Sequence, residues 1–295
     1  MKSKVYMTSK LEPQSLIELY KKIGKELPGK IAVKLHSGEK GNKNYLKPEF
    51  AKDIIEYVNG TVVECNTAYM GARNTTKKHL KLMETHGWST NFNVDILDSE
   101  EEIILENPKG EIIQKNYVGS KMKNYDSLLV LSHFKGHPMG GFGGALKNIS
   151  IGLASSQGKR YIHCSGKYKA TYLDMFSADH DNFLRSMGDA CVTIKDFFKD
   201  NIVYINSMVN MSVDCDCCAN AKDPCMKDIG ILASLDPVAL DQACIDLVYN
   251  SKDPGRDTLV ERIESKNGLL TIEASEKQGV GSREYELINI DEDNN

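Results

Sequence analysis

Short runs of β-forming residues alternate with amphipathic helical segments through the first third of the chain. Residues 30–36 and 61–65 read as compact strands, and residues 47–58 between them place Phe50, Ile54 and Ile55 on one helical stripe. Strands separated by helices of this length are joined by right-handed crossovers and form a mostly parallel sheet. The alternation therefore predicts an α/β protein of mixed, mostly parallel sheets with helices on both faces.

The same alternation continues along the chain with one interruption. The turn Asn-Pro-Lys-Gly at residues 107–110 predicts a hairpin over residues 101–117. We expect two lobes, an N-terminal α/β lobe of residues 1–120 and a C-terminal α/β lobe of residues 121–295. Further strands are expected at 4–8, 92–97, 202–209, 228–234 and 284–290, and further helices at 13–25, 75–86, 176–200, 258–265 and from Pro237 onward. In the helix at 75–86, His79 and His86 are expected on a solvated face.

The charge balance limits the partners of the chain. The 295 residues carry a net charge of −4, and the surface of such a protein does not attract phosphate backbones or anionic lipids. Residues 1–10 lack the basic and apolar regions of a secretory signal, and no apolar run reaches the length of a membrane span. We therefore expect a cytoplasmic protein that binds neither nucleic acid nor membrane.

Residues 131–164 hold the densest set of chemically active side chains. The apolar run at residues 128–131 is typical of a buried strand, so His133 and His137 should follow a strand end. Glycines then precede the start of a helix that carries Lys147, and such a turn favours a bound anion. The expected cofactor-binding glycines are Gly140, Gly141, Gly143 and Gly144. A turn that only packs the strand against the helix is the alternative.

Half of the eight cysteines are crowded into one loop between two expected strands. They are Cys215, Cys217, Cys218 and Cys225. In a reducing compartment this crowding indicates a metal or redox role, and thiolates favour zinc, copper(I) or an iron–sulfur cluster. The spacing matches neither a zinc ribbon nor a ferredoxin, so the expected cofactor is a metal ion or an iron–sulfur cluster. Free thiols or a reversible disulfide are the alternative. Cys191 and Cys244 lie on apolar helical stripes and are expected in the core.

The glycine and cysteine segments together resemble one family. Lys-Gly-His at residues 135–137, the run GGFGGALKN at residues 140–148 and the later His163 are similar to the uncharacterised family catalogued as domain of unknown function 362. Many members of that family carry an inserted ferredoxin-type iron–sulfur module, which residues 166–181 lack here. The resemblance also covers Cys-Asp-Cys before the run DIGILAS, and it implies that Cys215 and Cys217 are the matching cysteines.

The order of His137, Gly143–Gly144, Lys147 and His163 is also remotely similar to the nickel-pincer lactate racemases. That similarity implies that Lys147 anchors a cofactor, that His163 ligates the metal and that His137 moves a proton. The racemases carry a further catalytic histidine in a Thr-His-Arg motif, where this chain reads Gly71-Ala72-Arg73. Only the arginine matches, and Arg73 is expected to hold an anionic group.

Three functions are consistent with these patterns. The first is a cytoplasmic metal or iron–sulfur enzyme in which His137, Lys147 and His163 act on a small anionic substrate or cofactor. The second is a redox or electron-transfer protein that uses its cysteines as a switch with a redox protein partner. The third is a lactate-racemase-like isomerase of a hydroxy acid. The metal ligands expected for the first are Cys215, Cys217, Cys218, Cys225 and His163.

Overall fold

Most of the strands join one large sheet. In a computed structural model that describes residues 2–292, eight strands form this sheet and four more form two small hairpins. The strands are β1 (Ser3–Thr8), β2 (Ile31–Lys34), β3 (Thr61–Glu64), β4 (Val94–Ile96), β5 (Glu102–Glu106), β6 (Lys115–Gly119), β7 (Ser127–His133), β8 (Lys135–His137), β9 (Gly141–Gly143), β10 (Ile202–Met208), β11 (Gly230–Ser234) and β12 (Tyr285–Asn289).

The helices begin where the sequence supplies starting signals. Pro13, Pro48 and Pro237 occupy first turns, where a missing backbone N–H costs nothing, and Asp236 accepts hydrogen bonds from the amides of two residues in the first turn that follows it. The helices are α1 (Pro13–Ile23), α2 (Pro48–Tyr57), α3 (Thr76–Thr85), α4 (Trp88–Asn91), α5 (Ala145–Ser150), α6 (Ser156–His163), α7 (His180–Phe198), α8 (Pro237–Asn250), α9 (Arg256–Ser265) and α10 (Leu269–Lys277). Two 3₁₀ turns span Ser120–Asn124 and Leu173–Phe176.

The large sheet has the order β12-β1-β11-β10-β7-β2-β3-β4. Each neighbouring pair is parallel except the two pairs that involve β11, so β11 alone runs against the other seven strands. The hairpins pair β5 with β6 and β8 with β9. The fold is therefore a mixed, mostly parallel α/β fold, as the sequence predicted.

The central strand β7 explains why helices cover both faces. All seven of its residues are buried. Leu128 and Val130 pack in one hydrophobic cluster with α5, α7 and α8, whereas Leu129 and Leu131 pack in another with α1 and α2. Successive side chains of a strand point to opposite faces, so a continuous apolar run needs cover on both.

The expected strands, helices and hairpin are all present, with ends shifted by a few residues. The short helices α4 and α6 and the helix α10 are not predicted by the sequence patterns. Cys191 and Cys244 lie in the core, fully buried, as expected. Strands from both sides of residue 120 share the large sheet, since β1 lies between β11 and β12. The division into two lobes stays a prediction.

No helix in the described range 2–292 combines the length and the apolar character needed to cross a membrane.

Candidate metal and anion site

The carboxyl ends of three parallel strands border a cavity. Lys34, Glu64 and His133 are the last residues of β2, β3 and β7, which lie side by side in the sheet. All three line a cavity of about 290 Å³. Open α/β sheets bind ligands at this edge, so the cavity is the candidate site. Its wall also includes His137, Lys147, Lys159, His163, Cys215 and Cys217.

A tight turn after β10 carries two of the cysteines to this edge. A backbone hydrogen bond of 2.9 Å closes residues 215–218 into a turn with Asp216 at its second position. The buried carboxylate of Asp216 accepts a hydrogen bond from Nδ1 of His133 at 2.9 Å and pairs with Nζ of Lys135 at 2.7 Å. The turn is thereby fixed against β7 and β8, and the thiols on either side of Asp216 are held in place.

Gly136 lets the cysteine loop lie directly against the hairpin β8–β9. Its backbone N donates to the carbonyl of Ser212 at 2.8 Å, and a Cβ at this position would lie 2.4 Å from the carbonyl oxygen of Val213. Only glycine permits such an approach of two backbones. His137, the next residue, is brought to the same wall as the cysteines by this contact.

Three possible metal-ligand atoms converge at that wall. A ring nitrogen of His137 and the Sγ atoms of Cys215 and Cys217 all lie within 4.8 Å of one another. Sγ of Cys217 lies 3.9 Å from Nε2 of His137. Two thiols and an imidazole bind soft or borderline ions such as zinc. Within residues 2–292, no second group of three His, Cys, Asp or Glu side chains meets the same distance.

The hydrogen bonds of His137 define its tautomer. Nδ1 accepts from the backbone N atoms of Met139 and Gly140, at 3.1 Å and 2.8 Å. The proton of the neutral ring is therefore on Nε2, which faces Cys217. A metal ion at Nε2 would have to displace this proton, and the ring would then be an imidazolate whose Nδ1 accepts from the two amides.

Without a bound ion, both thiols keep their protons at neutral pH. A hydrogen bond with Cys217 and burial raise the pKa of Cys215 to about 11. The pKa of Cys217 is lowered by its hydrogen bond with Cys215, but a hydrogen bond with Cys218 and burial outweigh this and raise it to about 11. Metal binding at these sulfurs is therefore coupled to proton release.

Cys218, Cys225 and His163 lie outside the group of three. Cys218 hydrogen-bonds Cys217, which lowers the pKa of the Cys218 thiol, and Sγ of Cys225 donates to the carbonyl of Met211 at 3.2 Å. The structure thus joins two of the four predicted cysteine ligands to His137. A single ion with two thiolates and one imidazole as ligands fits this arrangement, and the binding of an iron–sulfur cluster stays a prediction.

His163 and Lys147 line the same cavity. Nδ1 of His163 donates to the carbonyl of Lys159 at 2.7 Å, so Nε2 carries the lone pair, and the ring stacks on Phe183 at 4.4 Å. Burial, together with the charge of Lys147, lowers the pKa of His163 and of His137 to about 4. Both rings are therefore neutral at neutral pH. The structure brings the three predicted catalytic residues together, and their catalytic role stays a prediction.

The amides at the start of α5 are already hydrogen-bonded inside the protein. The buried carboxylate of Asp241 accepts from the backbone N atoms of Ala145 and Leu146, at 2.8 Å and 2.9 Å. A Cβ on Gly144 would lie 2.4 Å from Oδ1 of Asp241. This part of the glycine turn therefore serves packing, and an anion near Lys147 receives no hydrogen bond from these two amides.

The four predicted cofactor-binding glycines have different positions. Gly143 and Gly144 line the cavity. The amide of Gly140 donates to His137. Gly141 has a φ of 78°, and a Cβ there would lie 2.8 Å from Cα of Gly268. Gly140 and Gly141 therefore shape the hairpin β8–β9 rather than the cavity wall.

Arg73 lines the cavity, but protein groups hold its guanidinium. Nε lies 3.2 Å from the carboxylate of Glu39, Nη1 lies 3.5 Å from that of Glu64, and Nη2 donates to the hydroxyl of Tyr69 at 2.7 Å. Two carboxylates therefore offset its charge. The anion-binding role of Arg73 stays a prediction.

Sequence reasoning missed a buried ion pair and misplaced a histidine. Nζ of Lys34 lies 2.9 Å from Glu64. His79 is fully buried, with Nε2 at 4.0 Å from the same carboxylate. The expectation of a solvated His79 was wrong because α3 turns this side toward the strand ends. A usable signal was present, since Lys34 and Glu64 are single charges inside apolar strand runs.

Fold and site together define a mixed α/β protein with two thiols and an imidazole beside a cavity at the carboxyl edge of its sheet. Residues 31–246 match the profile of the family described as "Domain of unknown function (DUF362)". The match spans well over half of the chain, so this protein belongs to that family. It confirms the resemblance found in the sequence. A search of curated protein sequences found no match.

Two solved structures are similar to this chain. The first is the lactate racemase apoprotein from Thermoanaerobacterium thermosaccharolyticum, with a TM-score of 0.46, 14% identity, and coverage of 82% of this chain and 56% of that chain. The second is a protein from Thermotoga maritima, with a TM-score of 0.43, 11% identity, and coverage of 90% of this chain and 58% of that chain. This chain therefore spans less than two thirds of the length of either protein.

Proposed function

We infer that this protein binds a single soft transition-metal ion through Cys215, Cys217 and His137 and acts on an anionic small molecule in the adjoining cavity. The observation that carries this proposal is the convergence of the three ligand atoms within 4.8 Å at the cavity wall. Three protein ligands beside a cavity are typical of catalytic metal sites, which keep one position open for substrate or solvent.

The other residues of the cavity support an enzyme of this kind. A bound ion supplies Lewis-acid polarisation of an oxygen atom on the substrate. Lys147 brings a positive charge to the same cavity and attracts an anion. His163 is neutral, with a pKa of about 4, and its Nε2 lone pair can accept a proton from a bound molecule.

Substitution of the two cysteines tests the proposal. Cys215→Ser and Cys217→Ser should each remove most of the bound metal, because a neutral hydroxyl does not replace a thiolate toward a soft ion. The measurement is elemental analysis of anaerobically purified protein, followed by zinc titration against a chromophoric chelator. Cys244→Ser and Cys218→Ser are the matched controls, and both should keep the metal.

Two outcomes contradict the proposal. One is metal content that is unchanged in both Cys215→Ser and Cys217→Ser. The other is wild-type protein that neither carries metal nor takes up zinc. In that second case the hydrogen-bonded thiols of Cys217 and Cys218 would favour the competing function, a thiol redox switch.

A further inference from the structure

The lysines of the cavity differ in how their charges are balanced. Nζ of Lys34 lies 2.9 Å from Glu64, and Nζ of Lys135 lies 2.7 Å from Asp216. Lys147 and Lys159 line the same cavity, yet neither has a carboxylate within 4.0 Å among residues 2–292. The cavity therefore holds positive charge that the described protein groups do not neutralise.

Lys159 is an uncommon kind of lysine. Its side chain is only 8% exposed, and its ammonium donates to one backbone carbonyl, that of Ala154. Burial lowers its pKa from the ordinary value. A buried ammonium has three N–H groups to satisfy, so a further acceptor in the cavity would offset part of the cost of burial.

His163 is close to both lysines. Its Nδ1 donates to the carbonyl of Lys159, and the charges of both Lys147 and Lys159 act on its ring. An anionic group placed against Nε2 of His163 is therefore within the field of both ammonium groups. We call these three side chains the charged part of the cavity lining.

The lining also contains apolar side chains, which we call the apolar part of the cavity. They include Met139, Ile151, Tyr172, Met175 and Phe176. Tyr172 is 40% exposed and Phe176 is 66% exposed, although both are large and apolar. The centroids of their rings lie 5.0 Å apart. Exposed aromatic side chains at the mouth of a cavity indicate a surface that an apolar ligand covers.

We propose that the cavity binds an amphipathic organic anion, with its charged group at Lys147, Lys159 and His163 and its apolar part against Tyr172 and Phe176. This inference rests on the proposed function, because it names the class of small molecule on which that site acts. It assigns Lys159 to anion binding. A small hydrophilic anion would contact only the charged part of the lining, and a neutral apolar molecule would contact only the apolar part.

Calorimetric titration with octanoate, acetate and octanol tests the charged part and the apolar part of the lining separately. We expect octanoate to bind at least about tenfold more tightly than acetate, because each buried methylene contributes roughly 0.8 kcal/mol. Lys147→Met and Lys159→Met should each weaken octanoate binding by roughly tenfold to a hundredfold, the usual worth of a hydrogen bond to a charged group. Neither change should weaken octanol binding. Methionine keeps the length and apolar stem of lysine, and thermal melting checks that both variants fold.

A separate variant, with its controls, tests the apolar part of the lining. Phe176→Ala should weaken octanoate binding and leave acetate binding unchanged, and because Phe176 is exposed the variant should keep the stability of the wild type. Lys123→Met and Leu235→Ala, two exposed residues that do not line the cavity, should change nothing. Equal binding of acetate and octanoate, or normal octanoate binding in both lysine variants, would overturn the inference.

Titrations with and without zinc keep this inference distinct from the proposed function. Loss of metal in the cysteine variants with no lysine-dependent binding of octanoate would reject the amphipathic anion and keep the metal site. Lysine-dependent binding of octanoate in a protein that takes up no metal would reject the metal site and keep the ligand class.

Discussion

Glu64 shows how a single residue can govern stability at the site. It is buried at the end of β3 between Lys34, Arg73 and His79. Burial alone would raise the pKa of this carboxyl, but the charge of Lys34, followed by those of its other cationic neighbours, holds the pKa well below the ordinary value of 4.5. Because the folded-state pKa is depressed, the ionised carboxylate stabilises the fold above pH 4.5, and this contribution is lost as the pH falls below that value.

Glu64→Gln should therefore destabilise the protein at neutral pH by about 3–5 kcal/mol, the usual effect of removing one partner of a buried ion pair. The gap between wild type and variant should narrow as the pH falls through 4.5. Urea denaturation of both proteins at a series of pH values measures this difference in the free energy of unfolding. Glu106→Gln is the control, because Glu106 pairs with Lys115 on the surface and should show little effect. A gap that is constant with pH would show that the Glu64 charge is not what stabilises the fold.

At the scale of elements, the start of α5 is joined to α8 by one carboxylate. Asp241 in α8 accepts from the first two amides of α5 and from Nδ2 of Asn206 in β10, at 2.7 Å. The glycine before α5 leaves room for that carboxylate. The sequence indicated a glycine turn at this place, but it could not show that a residue about a hundred positions later occupies the turn.

Substitution of two neighbouring glycines distinguishes packing from ligand binding in this turn. Gly144→Ala should destabilise the protein by about 1–3 kcal/mol, because its Cβ would lie 2.4 Å from Asp241 and displace a buried carboxylate. Gly143→Ala is the matched control, since its φ is not positive and its Cβ would first meet Lys135 at an ordinary 3.5 Å. Thermal and chemical denaturation measure both. Equal stability of the two variants would contradict this interpretation of the turn.

For the whole molecule, local sequence patterns predicted the strands and helices better than they predicted which of these elements lie next to each other. Each strand and helix of the alternating segments follows from side-chain periodicity within a few residues. The pairing of Val5 with Leu287 brings strands near the two ends of the chain together, and no local pattern specifies such a contact. The sequence therefore predicted a mostly parallel sheet without predicting its strand order.

The residues of the site were also predicted only in part. His137, Lys147, His163, Cys215 and Cys217 were predicted from motifs and resemblance, and all five line the cavity. The residues that position them were not predicted, because each acts across distant elements. Asp216 reaches His133 and Lys135 from another loop, and its place between two cysteines in the sequence does not specify these partners. Buried polar partners of this kind become visible only in three dimensions.

The metal centre is the central claim, and X-ray absorption at the metal edge of zinc-loaded protein tests it most directly. We expect two sulfur neighbours at about 2.3 Å and at least one nitrogen neighbour at about 2.0–2.1 Å. The sulfur signal should fall by half in Cys217→Ser protein that is forced to bind zinc at high concentration, and it should be unchanged in Cys244→Ser. A spectrum with only nitrogen and oxygen neighbours, or with four sulfurs, would contradict a site built from Cys215, Cys217 and His137.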